Sequence, residues 1–391
     1  MRALVIVLDG AGVGGAPDAA KFNDEGANTL GHIFAHREDF ELPALFSLGL
    51  GEILGGNVSQ PSSGKPAASY GRMREKSADK DTITGHWEIA GIVSDTPFAT
   101  FKKFPDSLVR AIEREARVEF IGNYLKSGMA ALEELGGEHL KTGKPILYTS
   151  ADSVMHIAAH DKVIPRTRLY EICRIARKHC NAFRIARVIA RPFTGKTGKF
   201  TRTIDRHDFT MVPPRTVLNA ISETGLCVES IGKISTLFAR SGFTRQHPTR
   251  SNQEGMRAIE RVWQTAHDGL IFAGLSDMDT LLEHQRDLHS FAASLMEFDA
   301  WLAGFLHRIL PEDLLVITAD HGNDPTFPGA IHTREEVPLL VKYDAKTEPL
   351  GIRNSFADIA ATLSSFFQLK KPWPVGEPLL KFPGGHRYSK R

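Results

Sequence analysis

The chain has 391 residues, 42% of them apolar, and a formal net charge of +2. That length accommodates two domains and a large core, and the near-neutral balance argues against a nucleic-acid scaffold or a binder of acidic membranes. No run approaches the ~20 apolar residues that span a bilayer, and the odd set of cysteines, Cys173, Cys180 and Cys227, has no zinc spacing and points to a reduced, cytoplasmic compartment.

The chain opens on an apolar run at residues 3–8, too short for the apolar segment of a signal peptide, and passes directly into Asp9 and glycines. This run and those at 146–148, 186–190, 270–273, 314–318 and 337–341 predict buried strands. Helical periodicity at 106–117, 167–178, 290–310 and 355–367 separates them. The alternation predicts an α/β fold with a largely parallel sheet flanked by helices.

Acids stand where the predicted strands end: Asp9 after the first, Asp277 and Asp279 after the run ending near Leu275, and Asp320 after 314–318. Open α/β sheets collect their ligands at the carboxyl ends of strands, so these ends deliver carboxylates to one edge. Two proline-marked junctions, Asp95-Thr96-Pro97 and Val212-Pro213-Pro214, bracket a middle segment, and every candidate ligand lies outside it. The expected organisation is a discontinuous core of residues 1–97 and 213–391, interrupted by an inserted cap of residues 98–212.

The run Asp81-Thr82-Ile83-Thr84-Gly85-His86-Trp87-Glu88 places hydroxyls beside an acid, a glycine and a histidine. Elsewhere stand Asp9, Asp279, His284, Asp320, His321 and His332, hard or borderline donors suited to Mn²⁺, Mg²⁺ or Zn²⁺. Adjacent Asp320 and His321 at a strand end can face two ions, and Gly322 lets the chain turn away. Asp279-x4-His284 is a weak pattern alone and gains weight from the set. A threonine hydroxyl is inert at neutral pH until a base or a cation activates it, and Thr82 and Thr84 both compete for that role. A phosphothreonine, carrying about −1.5 to −2 charge, would be repelled by the carboxylates without cations between them. Most of the 16 histidines read as surface or packed residues. His86 either orients a substrate or holds its loop, and His156 and His160 either touch a substrate or pack locally. The set reads as a two-metal phosphoryl-transfer enzyme.

With these motifs assembled, the chain resembles the phosphopentomutases of the alkaline phosphatase superfamily nearly end to end. The likeness runs through Asp81 to Glu88, Tyr148-Thr149-Ser150-Ala151-Asp152-Ser153-Val154, Arg187-Val188-Ile189-Ala190-Arg191-Pro192-Phe193, Gly232-Lys233-Ile234-Ser235, Thr318 to Pro325 and His332 to Leu339. The resemblance implies that Thr82 carries the phosphate. It implies one ion on Asp279, His284 and His332, and another on Asp9, Asp320 and His321 with the Thr82 oxygen nearby, with Mn²⁺ the usual metal. Ser150, Asp152, Arg187, Ile189, Arg202 and Lys233 are then expected to face a pentose phosphate, arginine forks suiting its phosphate; Arg191 and Arg206 extend the basic run. The implied reaction interconverts α-ribose 1-phosphate, or its 2-deoxy analogue, with the 5-phosphate through a bisphosphate, primed by a sugar bisphosphate activator, in nucleoside salvage. A cap answers the need to exclude water from a phosphothreonine. No nucleic acid or membrane partner is expected.

The chain departs from the family pattern at Glu283 and Gln285, where relatives usually carry glycine and arginine, at Tyr124-Leu125-Lys126, and over residues 237–250. These changes leave every candidate ligand intact and bear on sugar specificity more than on reaction class. The competing functions are a metal-dependent phosphatase of the same superfamily, a mutase of another sugar or of phosphoglycerate, and a non-catalytic binder of metal or sugar phosphate. Exchange of phosphate between sugar positions separates the phosphatase, the serine nucleophile and greater length of the phosphoglycerate mutases set those apart, and loss of function with Thr82→Ala separates the binder.

Overall fold

A computed structural model describes residues 1–55, 58, 64–150, 152–277, 287–328 and 332–383. Contacts within the chain divide it into two units, Met1–Asp95 with Pro214–Arg391, and Thr96–Pro213. In chain order the strands are β1 (Arg2–Leu8) and β2 (Ser69–Met73), then β3 (Ile121–Leu125), β4 (Ile146–Thr149), β5 (Val154–His160), β6 (Arg187–Lys196), β7 (Lys199–Arg202) and β8 (His207–Thr210) of the inserted unit. The first unit resumes with β9 (Val228–Ile231), β10 (Arg245–His247), β11 (Gly269–Leu275), β12 (Leu314–Thr318), β13 (Val337–Lys342) and β14 (Pro349–Arg353).

The first unit carries an eight-stranded sheet in the order β10-β9-β11-β1-β12-β13-β2-β14. Among the described residues β13 alone runs against the others, pairing antiparallel with β12 and β2. Ala3 to Leu8 are all buried, as a strand covered on both faces requires, and β1 accordingly sits in mid-sheet. It pairs in parallel with β11 on one side, Leu8 opposite Leu275, and with β12 on the other, Val7 opposite Thr318. The carboxyl ends of β11, β1 and β12 therefore lie side by side.

The inserted unit carries a six-stranded sheet in the order β3-β4-β5-β6-β7, with β8 also paired to β6. Side chains alternate across it. Leu147, Met155, Ile157, Val188 and Ala190 pack on one face against Ile112, Leu169 and Ile172 of helices Asp106–Ala116 and Arg166–Asn181. Tyr148, Ala158 and Phe193 pack on the other against Leu132 and Leu135 of helix Gly128–Thr142.

All six apolar runs expected as strands are strands, with the run at 186–190 extended to Lys196 in β6. The helix expected over 290–310 ends at Phe305 and tightens into a 3-10 turn at Leu306–Arg308. The one expected over 355–367 runs from Asp358 to Phe366, and Ser355 before it accepts from the Ala357 N–H and donates to Glu88.

Candidate active site

Residues that follow the central strand ends converge. Asp9 follows β1, and Asp320 and His321 follow β12; ligand atoms from the three lie within 4.8 Å of one another, and all three residues are buried. His321 Nε2 stands 3.4 Å from Asp9 Oδ1 and 3.2 Å from Asp320 Oδ2. Its other nitrogen, Nδ1, is 3.0 Å from the Gly322 carbonyl, an acceptor that would hold the Nδ1 proton when Nε2 ligates a cation. Two buried carboxylates and an imidazole nitrogen gathered within 4.8 Å form a donor set that fits a divalent ion.

The helix Thr82–Ile89 presents its first turn to this cluster. Asp81 caps it, accepting from the backbone N–H of Ile83 at 2.7 Å and of Thr84 at 3.1 Å. The Thr84 hydroxyl donates to the same Asp81 at 2.9 Å, whereas Thr82 Oγ1 lies 3.0 Å from His321 Nε2. The two threonines that compete in the sequence thus have different surroundings, Thr84 within its own cap and Thr82 at the donor cluster.

His86, one turn on, directs Nδ1 to the Thr82 carbonyl at 2.8 Å and to Asp320 Oδ2 at 3.1 Å. Burial alone would raise the Asp320 carboxyl, but His321, His86 and the Gly10 N–H outweigh it and hold Asp320 below the usual carboxylate range.

His332 stacks on His321 with ring centroids 4.1 Å apart. The reason is a backbone bridge, Gly322 N–H to Thr333 at 3.0 Å and Thr333 N–H to Gly322 at 2.8 Å. Asp279 and His284 lie outside the described residues, as do Glu283 and Gln285. Asp277, before them, exchanges two hydrogen bonds with Asn252, its Oδ2 accepting from Asn252 N–H at 2.6 Å. Lys233 is exposed just beyond the carboxyl end of β9, on the same edge of the sheet as Asp9 and Asp320.

Within the inserted unit, Arg187, Ile189 and Arg191 alternate with buried apolar residues on β6 and so share one face. Arg202 on β7 pairs opposite Phe193 and joins that face. Arg187 donates to Asp152 Oδ2 at 3.0 Å, and the Ser150 hydroxyl donates to Asp152 Oδ1. Arg202 lies directly over Gly128, where any β-carbon would overlap its guanidinium. Burial, with Arg206 and Arg202 nearby, pushes the Arg191 guanidinium down to about 10. The face gathers these arginines beside the Ser150 hydroxyl and two carboxylates, Asp152 and Asp208, the latter opposite Ile189 and bonded by Arg206.

A family model for the metalloenzyme superfamily matches residues 1–371. A phosphopentomutase of Syntrophotalea carbinolica is 47% identical over 94% of this chain and 95% of its own length. One of Symbiobacterium thermophilum is 46% identical over 93% and 94%. The chain belongs to the phosphopentomutase family. Among solved structures, a phosphoglycerate mutase of Leishmania mexicana aligns with a TM-score of 0.50 at 12% identity, covering 96% of this chain and 97% of that one, a likeness of fold.

Membership of the phosphopentomutase family makes the chain an isomerase and a metal-dependent enzyme. Three residues that carry the site's geometry were invisible as such in the sequence. Glu88 is fully buried and accepts from the N–H groups of Lys76, Ser77 and Phe356 and the Ser355 hydroxyl, locking the helix behind Thr82. Arg334 forks onto Asp18 and bonds Glu75 and the Asp79 carbonyl, tying the loop before Thr82 to the strand after His332. Glu335 accepts from Gly14, Thr29 and Thr333, fixing the loop that carries His332. The signal was present in the run His332-Thr333-Arg334-Glu335, but its partners lie about 250 to 320 residues away along the chain.

Proposed function

We propose that the chain interconverts α-D-ribose 1-phosphate, or 2-deoxyribose 1-phosphate, with the corresponding 5-phosphate, through a phosphoryl group carried on Thr82 and a sugar bisphosphate intermediate. The observation that carries this reading is Thr82 Oγ1, 3.0 Å from His321 Nε2 on the first turn of a capped helix that faces Asp9 and Asp320. The family name supports the choice of pentose phosphates as substrates.

Asp9, Asp320 and His321 would hold one divalent ion, and Asp279, His284 and His332 the other, both Mn²⁺ in this proposal. When bound, such ions lower the pKa of a nearby hydroxyl and balance the charge of phosphoryl oxygens. Asp81 fixes the turn that presents Thr82. Arg187, Arg202 and Lys233 are assigned to the sugar phosphate, Ser150 and Asp152 to its hydroxyls, and Ile189 to the apolar side of the ring. Phospho-Thr82 gives its phosphoryl group to the free hydroxyl of the monophosphate; the bond from phosphorus to the Thr82 oxygen breaks, one to the sugar oxygen forms, and the sugar hydroxyl proton ends on the Thr82 oxygen. The bisphosphate returns its other phosphoryl group to Thr82. A sugar bisphosphate primes the resting enzyme, and the reaction serves nucleoside salvage in the cytoplasm.

The test is phosphorus NMR of the Mn²⁺-loaded protein, primed with glucose 1,6-bisphosphate and mixed with α-ribose 1-phosphate. Growth of ribose 5-phosphate without inorganic phosphate is the expected result. Release of inorganic phosphate alone would make the chain a phosphatase, and an unchanged spectrum would move the substrate to another sugar.

A further inference from the structure

Beside Ser150 and Asp152 stands a histidine that the proposed reaction does not use. His156 on β5 pairs across the strands with Tyr148 on β4 and with Ile189 on β6. It is 5% exposed, and its ring stacks on Tyr148 with centroids 4.6 Å apart and planes 10° from parallel, so the ring cannot turn freely. Both of its nitrogens are engaged. Nδ1 is 3.4 Å from Arg191 Nε, and Nε2 is 2.9 Å from Ser150 Oγ.

A guanidinium can only donate. Nδ1 must therefore be the bare nitrogen and Nε2 the protonated one. Nε2–H then donates to Ser150 Oγ, and the Ser150 hydroxyl spends its own proton on Asp152 Oδ1. Asp152 Oδ2 receives Arg187. Every hydrogen bond from Arg191 to Asp152 runs in one direction. The titratable groups facing His156 are Tyr148 on β4, Arg187 and Arg191 on β6, Arg202 on β7, Arg206 before β8, Asp208 on β8 opposite Ile189, and Asp152 beyond Ser150. Burial first, then these arginines, hold the imidazole well below its usual range, which keeps the ring neutral and the direction fixed.

We infer that His156 is a positioning residue that, in its Nε2–H form, points the Ser150 hydroxyl at Asp152 and leaves the free lone pairs of both to accept hydrogen bonds from a ligand's hydroxyl groups. The inference rests on the assignment of Ser150 and Asp152 to the sugar. It adds a direction to that assignment: the edge is an acceptor of O–H donors, the class a pentose presents, and is ill suited to an acceptor such as a carbonyl or a second phosphate.

His156→Phe keeps the stack on Tyr148 and removes both nitrogens. In steady-state assays with α-ribose 1-phosphate, it raises KM about tenfold, the scale of one lost hydrogen bond, with kcat within about threefold. His156→Gln, which retains a donor, recovers more than half of that loss. In a Ser150→Ala background, His156→Phe adds less than about twofold, because the two act through one bond. An equal effect in both backgrounds, or an unchanged KM, overturns the inference. Nitrogen-15 NMR of the histidine-labelled wild-type protein reads the tautomer without any assay. A neutral Nε2–H ring for His156 at pH 7 is expected, and an Nδ1–H ring or an imidazolium overturns the inference. A protein with that tautomer but no pentose phosphate turnover would instead overturn the proposed reaction.

Discussion

Gly85 and Asp320 meet backbone to backbone, and a β-carbon on Gly85 would overlap the Asp320 carbonyl oxygen. The helix Thr82–Ile89 can therefore seat its first turn directly on the end of β12. That seating is what brings Thr82 Oγ1 to 3.0 Å from His321 Nε2. A glycine inside a helix costs about 1 kcal/mol relative to alanine, and here the cost is offset by the close approach.

Gly85→Ala forces backbone to move against backbone. The expected penalty is about 1–3 kcal/mol of stability, with turnover down about a hundredfold, the scale of an ångström's misplacement of a reacting group. Chemical denaturation and the mutase assay measure both. Wild-type turnover in this variant would mean the helix yields without disturbing Thr82.

Thr82→Ala deletes the proposed phosphate carrier and leaves Asp9, Asp320 and His321 untouched. Turnover is expected to fall more than about a thousandfold, while metal content measured by atomic emission stays near the wild-type value. Thr84→Ala gives the contrast: it removes a hydroxyl bonded within the Asp81 cap and is expected to cost about 1 kcal/mol of stability. If Thr84→Ala is the inactive variant and Thr82→Ala turns over, the roles are exchanged.

How much of this was legible in the sequence depends on the range of the interaction. The apolar runs of β1, β11 and β12 are buried on both faces, so they stand out as continuous hydrophobic stretches with acids at their ends. β14 lies at the sheet edge, holds a proline and a glycine, and is largely exposed, so it carries no such signal. Thr82 and Thr84 lie within one helical turn, and what separates them is the fold-dependent partner of each hydroxyl, His321 for Thr82 and Asp81 for Thr84. Likewise Arg334 reads as one more charge until Asp18 and Glu75 are folded against it.

Removal of divalent ions tests the donor cluster. Bringing the Asp9 and Asp320 carboxylates together in a buried place stores repulsion that a cation relieves. Protein stripped with EDTA and desalted is expected to lose turnover and to melt several degrees lower. Adding back Mn²⁺ should restore both, with Tm rising with the logarithm of free ion once it exceeds Kd. His321→Ala should abolish most of that rise. A melting curve indifferent to chelation would show that the cluster binds no ion of consequence to the fold.

A last prediction concerns alkaline stability and lies away from the site. Cys173 and Cys180 are seven residues apart on helix Arg166–Asn181 and fully buried in one core. Burial pushes the Cys180 thiol from 9.0 up to about 12, and Cys173 well above its usual value. Below pH 9 both folded and unfolded thiols keep their protons, so neither contributes a pH dependence. Between pH 9 and about 12 the unfolded chain releases a proton that the folded chain retains, so the unfolded state gains. Stability is then expected to fall by about 1.4 kcal/mol per pH unit for each thiol. Urea unfolding under reducing conditions at pH 8, 9.5 and 10.5 measures the slope. Cys180→Ala should be less stable than wild type at pH 8 through lost packing, yet decline less steeply above pH 9, because one of the two ionising groups is gone. Parallel slopes for the two proteins would mean that Cys180 does not hold its proton in the folded state.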